Sequence, residues 1–261
     1  MLIDGKGLEY KPYKDSRGEN GFSGQLYLTE SGSRKYLVKT GKADVITDFA
    51  AHRLAMLTGV PSSEAVLIVR NRNVYVGIEY LDDFKKISMD DFLGTEEYEI
   101  IPIIMNGKRL EPAKIAEMKY PDDSPLLADL MKYFAFREMT AIEDVPQLAI
   151  SCNRLVSYDY AEAFYLDDNS ITRMIATGDI SYPLHLFKSH LHIVGSLSSN
   201  LKVIRRPETE FLSEAYFSPL YDFLDSDYQP IIDDLSEVFP HIIPQFFVEA
   251  FNAIKQEIVG E

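Results

Sequence analysis

Apolar and polar positions alternate in Gln25-Leu26-Tyr27-Leu28 and in Tyr36-Leu37-Val38-Lys39, around a polar Glu30-Ser31-Gly32-Ser33. That pattern predicts a hairpin of two short strands. Between residues 44 and 58 the period changes: Val45, Phe49, Leu54 and Leu57 recur at helical spacing, and Gly59 and Pro61 supply a stop. β-branched runs at 65–69 and 73–79 flank Arg70-Asn71-Arg72 and predict a second hairpin. The opening order is therefore strand, strand, helix, strand, strand.

Beyond Asp82-Asp83 the apolar spacing becomes mostly helical, which places a boundary near residues 80–86. Residues 126–139 follow Pro121-Asp122-Asp123-Ser124-Pro125 as a helix, and β-like runs at 147–150 and 154–158 surround Ser151-Cys152-Asn153. From 183 onward the chain reads as helices broken by Pro207, Pro219, Pro230, Pro240 and Pro244, with amphipathic helices at 228–238 and 245–258. Phe246, Phe247 and Phe251 read as core.

Composition narrows the class. With 46% hydrophobic and 26% charged residues, the chain matches ordinary globular proteins, and disorder is not suggested. The longest apolar stretches, at 100–105 and 191–194, fall far short of the roughly 20 residues a bilayer span needs. No secretory pattern opens the sequence. A net charge of -15 disfavours nucleic acid as a general partner. Cys152 is the single cysteine, so no internal disulfide forms; it reads as a small buried or half-buried residue, and the compartment expected is the cytoplasm.

Six of the 14 glycines fall within the first 32 residues. A glycine loop leading into a strand that ends in lysine, then a helix with an early acid, is an arrangement that nucleotide phosphates require. Glycine lets backbone amides approach phosphate oxygens, lysine neutralises them, and the helix carboxylate holds the lysine. The loop is Gly21-Phe22-Ser23-Gly24, with Gly21, Ser23 and Gly24 as phosphate contacts, the lysine is Lys39 and the acid is Asp48. Taken singly, Lys39 reads equally as an exposed strand-end lysine and Asp48 as helix surface.

The run Tyr36-Leu37-Val38-Lys39, with Asp48-Phe49-Ala50-Ala51-His52-Arg53-Leu54-Ala55-Met56-Leu57-Thr58-Gly59-Val60-Pro61, resembles the HipA-like kinases. Val76-Gly77-Ile78-Glu79-Tyr80 is similar to the segment entering that family's hinge, which implies nucleotide contacts at Glu79 and Tyr80. Phe136-Arg137-Glu138-Met139-Thr140-Ala141-Ile142-Glu143-Asp144 resembles the helix into the catalytic loop and puts Asp144 at the base position. Arg154-Leu155-Val156-Ser157-Tyr158-Asp159 resembles the metal-binding segment, with Asp159 as its aspartate.

The resemblance implies an α+β, bilobal kinase-like fold. A small β-rich lobe with one main helix would span residues 1–84, and a larger, mainly helical lobe residues 85–261. It also implies ATP and Mg2+ as cofactors, transfer to a serine or threonine of a protein substrate, and toxin-antitoxin or stress signalling as one setting. Asp144 and Lys39 are then catalytic, and Gln147 and Asp159 hold metal.

Three departures stand at the centre. No asparagine lies five residues after Asp144, so Gln147 stands in for it. Val145 follows the base where arginine is usual. Asp48 replaces glutamate and is one methylene shorter, which predicts a reach that falls short of Lys39. The alternative is a pseudokinase, a nucleotide-binding or protein-binding regulatory module that works without transfer. Asp144 and Asp159 also read as loop caps.

Two other sets rank lower. His185, His190 and His192 offer two imidazoles on one strand face with no third ligand at zinc spacing. Five serines between 189 and 213 surround Arg205-Arg206 as a loop that could be phosphorylated. No Gly-x-Ser-x-Gly elbow is present, and Cys152 has no evident histidine partner.

Overall fold

The computed structural model describes residues 1–13, 26–87, 104–105, 108–109, 125–142, 147–160, 162–191, 193 and 210–260. Six strands form the main sheet: β1 (Leu2–Asp4), β2 (Lys11–Pro12), β3 (Tyr27–Ser31), β4 (Arg34–Lys39), β5 (Ala65–Arg70) and β6 (Asn73–Glu79). Their order is β1-β5-β6-β4-β3-β2, with β1 parallel to β5 and the other pairs antiparallel. Both expected hairpins are present. The first turns only at Gly32-Ser33, because Glu30 and Ser31 pair with Lys35 and Arg34. The second turns through Asn71 and Arg72, both at positive φ, the conformation that a tight two-residue hairpin demands. Gly77 is closely packed: a Cβ there would stand 2.8 Å from Ile68 Cδ1 and 3.2 Å from Tyr36 Cβ.

Helix α1 (Lys42–Leu57) crosses between β4 and β5 and is buried around most of its circumference. A helix hydrophobic or buried all round belongs to the interior, which explains why its polar residues Asp44, Thr47, Asp48 and His52 are also inside. Leu57 is 39% exposed. It lies in the final turn, where Thr58 and Gly59 (φ +65°) end the helix.

After Glu79 the chain makes β7 (Lys85–Ile87), which leaves the main sheet and pairs with β10 (Leu148–Ser151). β10 forms a hairpin with β11 (Arg154–Ser157). Short strands β8 (Ile104–Met105) and β9 (Lys108–Arg109) pair with each other. The Asp83 carboxylate clamps the hairpin turn, accepting from Ser151 Oγ at 2.5 Å and Cys152 N at 2.6 Å. Cys152 is exposed at that turn, in contrast to the buried or half-buried expectation.

Among the described residues six further α-helices follow: α2 (Pro125–Thr140), α3 (Asp168–Thr177), α4 (Ser181–His190), α5 (Glu210–Asp225), α6 (Gln229–Val238) and α7 (Ile242–Val259). Asp129 on α2 holds β11 through paired 2.7 Å hydrogen bonds from Arg154 and one from Leu155 N. Pro219 does not break a helix as expected but sits inside α5. The hydrogen bond it forfeits is offset by burial of Tyr216, Leu220 and Phe223 around it. Pro244 likewise lies in the first turn of α7, where no intrahelical donor is lost.

The core expected around Phe246, Phe247 and Phe251 is present, and Phe164, Phe187 and Phe223 join it. Phe164 reaches it from a short 3-10 turn (Ala163–Tyr165) in which Phe164 and Tyr165 have φ of 61° and 54°. Two consecutive bulky residues in the left-handed region cost about 1–3 kcal/mol each. The cluster holding Phe164 at 0% exposure compensates.

Candidate active site

Strand β4 delivers Lys39 at its last position, opposite Val76 of β6, and α1 begins three residues later. One and a half turns into α1 stands Asp48. Because the connection is so short, the helix packs close behind the strand, and Lys39 Nζ lies 2.7 Å from Asp48 Oδ2. The shorter aspartate therefore does reach the lysine, contrary to the expectation of a gap. A third group closes the set: Asp159, just beyond β11, places Oδ1 2.8 Å from the same ammonium.

Lys39 is 6% exposed and Asp48 0%. Burial by itself opposes the lysine's charge, but the carboxylates of Asp48 and Asp159 outweigh it, and its pKa is held above the ordinary value. Burial pushes Asp48 up to about 7, against the lysine's pull and with some repulsion from Asp159. Its second oxygen accepts from Tyr160 N at 2.7 Å. Asp48 thus ties together the strand lysine and the segment carrying Asp159. The side chain of Asp159 is 32% exposed, so the triad has one carboxylate at the surface and two groups sealed behind it.

Two neighbours had no role in the sequence reading. His52 lies one turn after Asp48, and its ring meets the Tyr160 ring edge-on at 4.7 Å. Its Nδ1 pairs with Ser62 Oγ at 2.6 Å. Nothing in the local sequence marks either His52 or Tyr160. Burial, with Lys39 nearby, lowers the His52 pKa from 6.5 to about 3, so the ring is neutral at physiological pH. Burial also holds the Tyr160 phenol well above its usual range.

The folded pKa of His52 lies below the unfolded one, so this contribution to stability is fully present above pH 6.5 and is lost as pH falls toward 3. Its slope is about 1.4 kcal/mol per pH unit. Urea unfolding of wild type and His52→Asn across that window is expected to show the shallower acid slope in the variant. Parallel curves would contradict the buried neutral imidazole.

Gln147 is the residue before β10. Its Oε1 accepts from the Tyr158 hydroxyl at 2.8 Å and its backbone carbonyl from Tyr158 N at 3.2 Å. The structure thus ties it to the residue preceding Asp159. Glu79 and Tyr80 lie toward the other end of β4: Glu79 Oε1 is 3.7 Å from Arg34 Nε, and Tyr80 N donates to Lys35 O. Gly21, Ser23, Gly24 and Asp144 fall outside the described residues.

Among the histidines, His190 closes α4, bonds Leu186 O through Nδ1 at 2.8 Å and stacks on Tyr165. It belongs to a helix and not to the strand expected there. His185 is exposed on the same helix, and His192 lies outside the described residues. Among the described residues no group of three or more His, Cys, Asp or Glu is placed to hold a metal. No helix among them is long and apolar enough to cross a membrane.

No protein-family model matches the sequence, and no curated protein matches it. Among solved structures, the proinflammatory kinase CtkA of Helicobacter pylori is similar over 100% of this chain and 96% of its own, with TM-score 0.60 and 12% identity. Weaker similarities are to Shewanella oneidensis HipA, solved with HipB and operator DNA, and to WaaP, solved with acyl carrier protein. HipA has TM-score 0.42, 11% identity, and coverage of 99% of this chain and 72% of its own. WaaP has 0.36, 14%, 95% and 90%. The sheet carrying Lys39, the helix carrying Asp48 and the helices beyond β11 together form an α+β fold similar to that of the kinase CtkA.

Proposed function

We propose that the protein is an ATP- and Mg2+-dependent phosphotransferase, a HipA-like kinase acting on a serine or threonine of a protein. The observation that carries the reading is the buried Lys39 held at 2.7 Å by Asp48 and 2.8 Å by Asp159. A strand lysine and a helix acid paired from one half, facing an aspartate from the other, are what phosphate orientation and metal binding require. In this reading residues 1–84 supply the nucleotide half, with Gly21, Ser23 and Gly24 toward phosphates and Glu79 and Tyr80 toward the rest of the nucleotide. Residues 85–261 supply Asp144 as base and Asp159 and Gln147 as metal ligands.

The donor set fits magnesium. Mg2+ favours oxygen ligands and commonly takes one or two carboxylates along with substrate phosphates and water. Asp159 is the partly exposed carboxylate of the triad, and Gln147 offers an amide oxygen. When bound, the metal would neutralise phosphate charge. The chain's own work is to hold Lys39 charged, to fix Asp159 through the Tyr160 amide on Asp48, and to keep the lysine dry.

A second reading, a pseudokinase, draws on one observation. The Gln147 Oε1 that would face a cation already accepts from Tyr158, and this protein has no asparagine at the usual place in the loop. Incubation with γ-labelled ATP and Mg2+ or Mn2+ separates the two. The kinase reading expects label on protein that is lost in Asp159→Ala. A thermal shift by ATP with no label transferred, in wild type, would support the pseudokinase instead.

A further inference from the structure

Helix α1 carries Asp48, yet it has no cap of its own. Its N-cap residue is Gly41, which offers no side chain, so the first-turn amides must find acceptors elsewhere. The Ala43 amide finds one 125 residues away: it donates to Asp168 Oδ1 at 2.7 Å.

Asp168 is available because its neighbour does the local work. Helix α3 begins at Asp168, and its N-cap, Asp167, accepts from Ser170 N at 2.7 Å. Two consecutive aspartates thus cap two helices, the first α3 and the second α1. The placement has an electrostatic reason: two helix N-termini brought together set partial positive ends against each other, and an acceptor between them favours both. Beside this bond Lys42 Nζ lies 3.3 Å from Thr172 Oγ1, which joins the first turn of α1 to α3 at a second point.

Farther along α1 the same stretch of chain takes hold again. Tyr160 N donates to Asp48 Oδ1 at 2.7 Å, and the Tyr160 ring meets His52 at 4.7 Å. Tyr160, Asp168 and Thr172 therefore grip the helix at its start, at Asp48 and at His52. The turn between these anchors is itself fixed, because Phe164 is sealed in the aromatic core at 0% exposure. A helix held only at Asp48 and His52 can pivot about that point; one held at its first turn as well cannot. Asp168 is exposed, so it can be changed without opening the core.

We propose that Asp168 is a positioning residue of the candidate active site: by capping α1 from beyond β11, it fixes the helix so that Asp48 stays on both Lys39 and the Tyr160 amide. Its consequence for phosphate transfer rests on the kinase reading, but its hold on α1 is measurable without nucleotide. The full chain is compared as wild type, Asp168→Ala and Asp168→Asn. The amide variant keeps the acceptor oxygen, and asparagine caps a helix as well as aspartate does. Amide hydrogen exchange is followed at Tyr160, with the amides of α7 as the internal reference.

The expected result is exchange at Tyr160 about fivefold faster in Asp168→Ala, the size of one lost cap, with rates near wild type in Asp168→Asn and no change in α7. A cap serving only its own turn would leave Tyr160 unmoved. Unchanged exchange at Tyr160, the same acceleration throughout α7, or no rescue by Asp168→Asn overturns the proposal. With labelled ATP and Mg2+, transfer should slow about fivefold in Asp168→Ala and recover in Asp168→Asn. If Tyr160 responds as expected and even wild type transfers no phosphate, the positioning role stands and the kinase reading falls. If wild type and Asp168→Ala transfer equally and Tyr160 is unmoved, the kinase reading stands and the positioning role falls.

Discussion

Lys39→Met is expected to lower the free energy of unfolding by about 3–5 kcal/mol at pH 8, because it leaves a buried carboxylate without its ammonium. Asp48 is 0% exposed and cannot turn to solvent. Its remaining escape is to take up a proton. Even beside the lysine it is pushed up to about 7, and without the lysine it rises further. A carboxyl whose folded pKa is raised favours the fold below its unfolded value, and that advantage is lost as pH rises through the folded one. The deficit of the variant should therefore be clearly smaller at pH 5 than at pH 8. Urea unfolding at both pH values is the check, and an unchanged or pH-independent stability would contradict the buried triad.

Asp159→Asn is expected to cost little stability and much activity. The residue is one-third exposed, and Lys39 keeps Asp48 when it is changed. The amide also preserves the side chain's shape. What it removes is the charge proposed to face the metal, so Mg2+-dependent transfer should fall by about 10²–10³-fold while the unfolding midpoint moves by a degree or two. Comparable losses of stability and activity would instead place Asp159 among purely structural residues.

How far the site was legible depends on separation along the chain. Lys39 and Asp48 are nine residues apart on adjoining elements, and the strand-to-helix order alone brought them within reach. The contact at 2.7 Å depended on how tightly α1 lies behind β4, which a methylene count does not reveal. Asp159 is 120 residues from Lys39, and only resemblance, not periodicity, pointed to it. His52 and Tyr160 carry no mark in the sequence because a histidine on a helix and a tyrosine after a strand have many ordinary uses. The Tyr160 backbone amide that donates to Asp48, and the ring contact between His52 and Tyr160, come from three-dimensional packing.

The fold shows the same division. The two N-terminal hairpins and α1 were readable because period and turn chemistry agreed. Pro219 reads as a break in sequence, but the burial of Tyr216, Leu220 and Phe223 on the same helix, which tolerates it, depends on what the helix packs against. The consecutive left-handed residues Phe164 and Tyr165 had no local sign at all: they exist because the aromatic cluster claims Phe164.

The most direct test of the account is a crystal structure of the full chain with a non-hydrolysable ATP analogue and Mg2+. It should place Lys39 Nζ within hydrogen-bond distance of a phosphate oxygen and Asp159 on the metal. Nucleotide bound elsewhere, or metal held without Asp159, would contradict it.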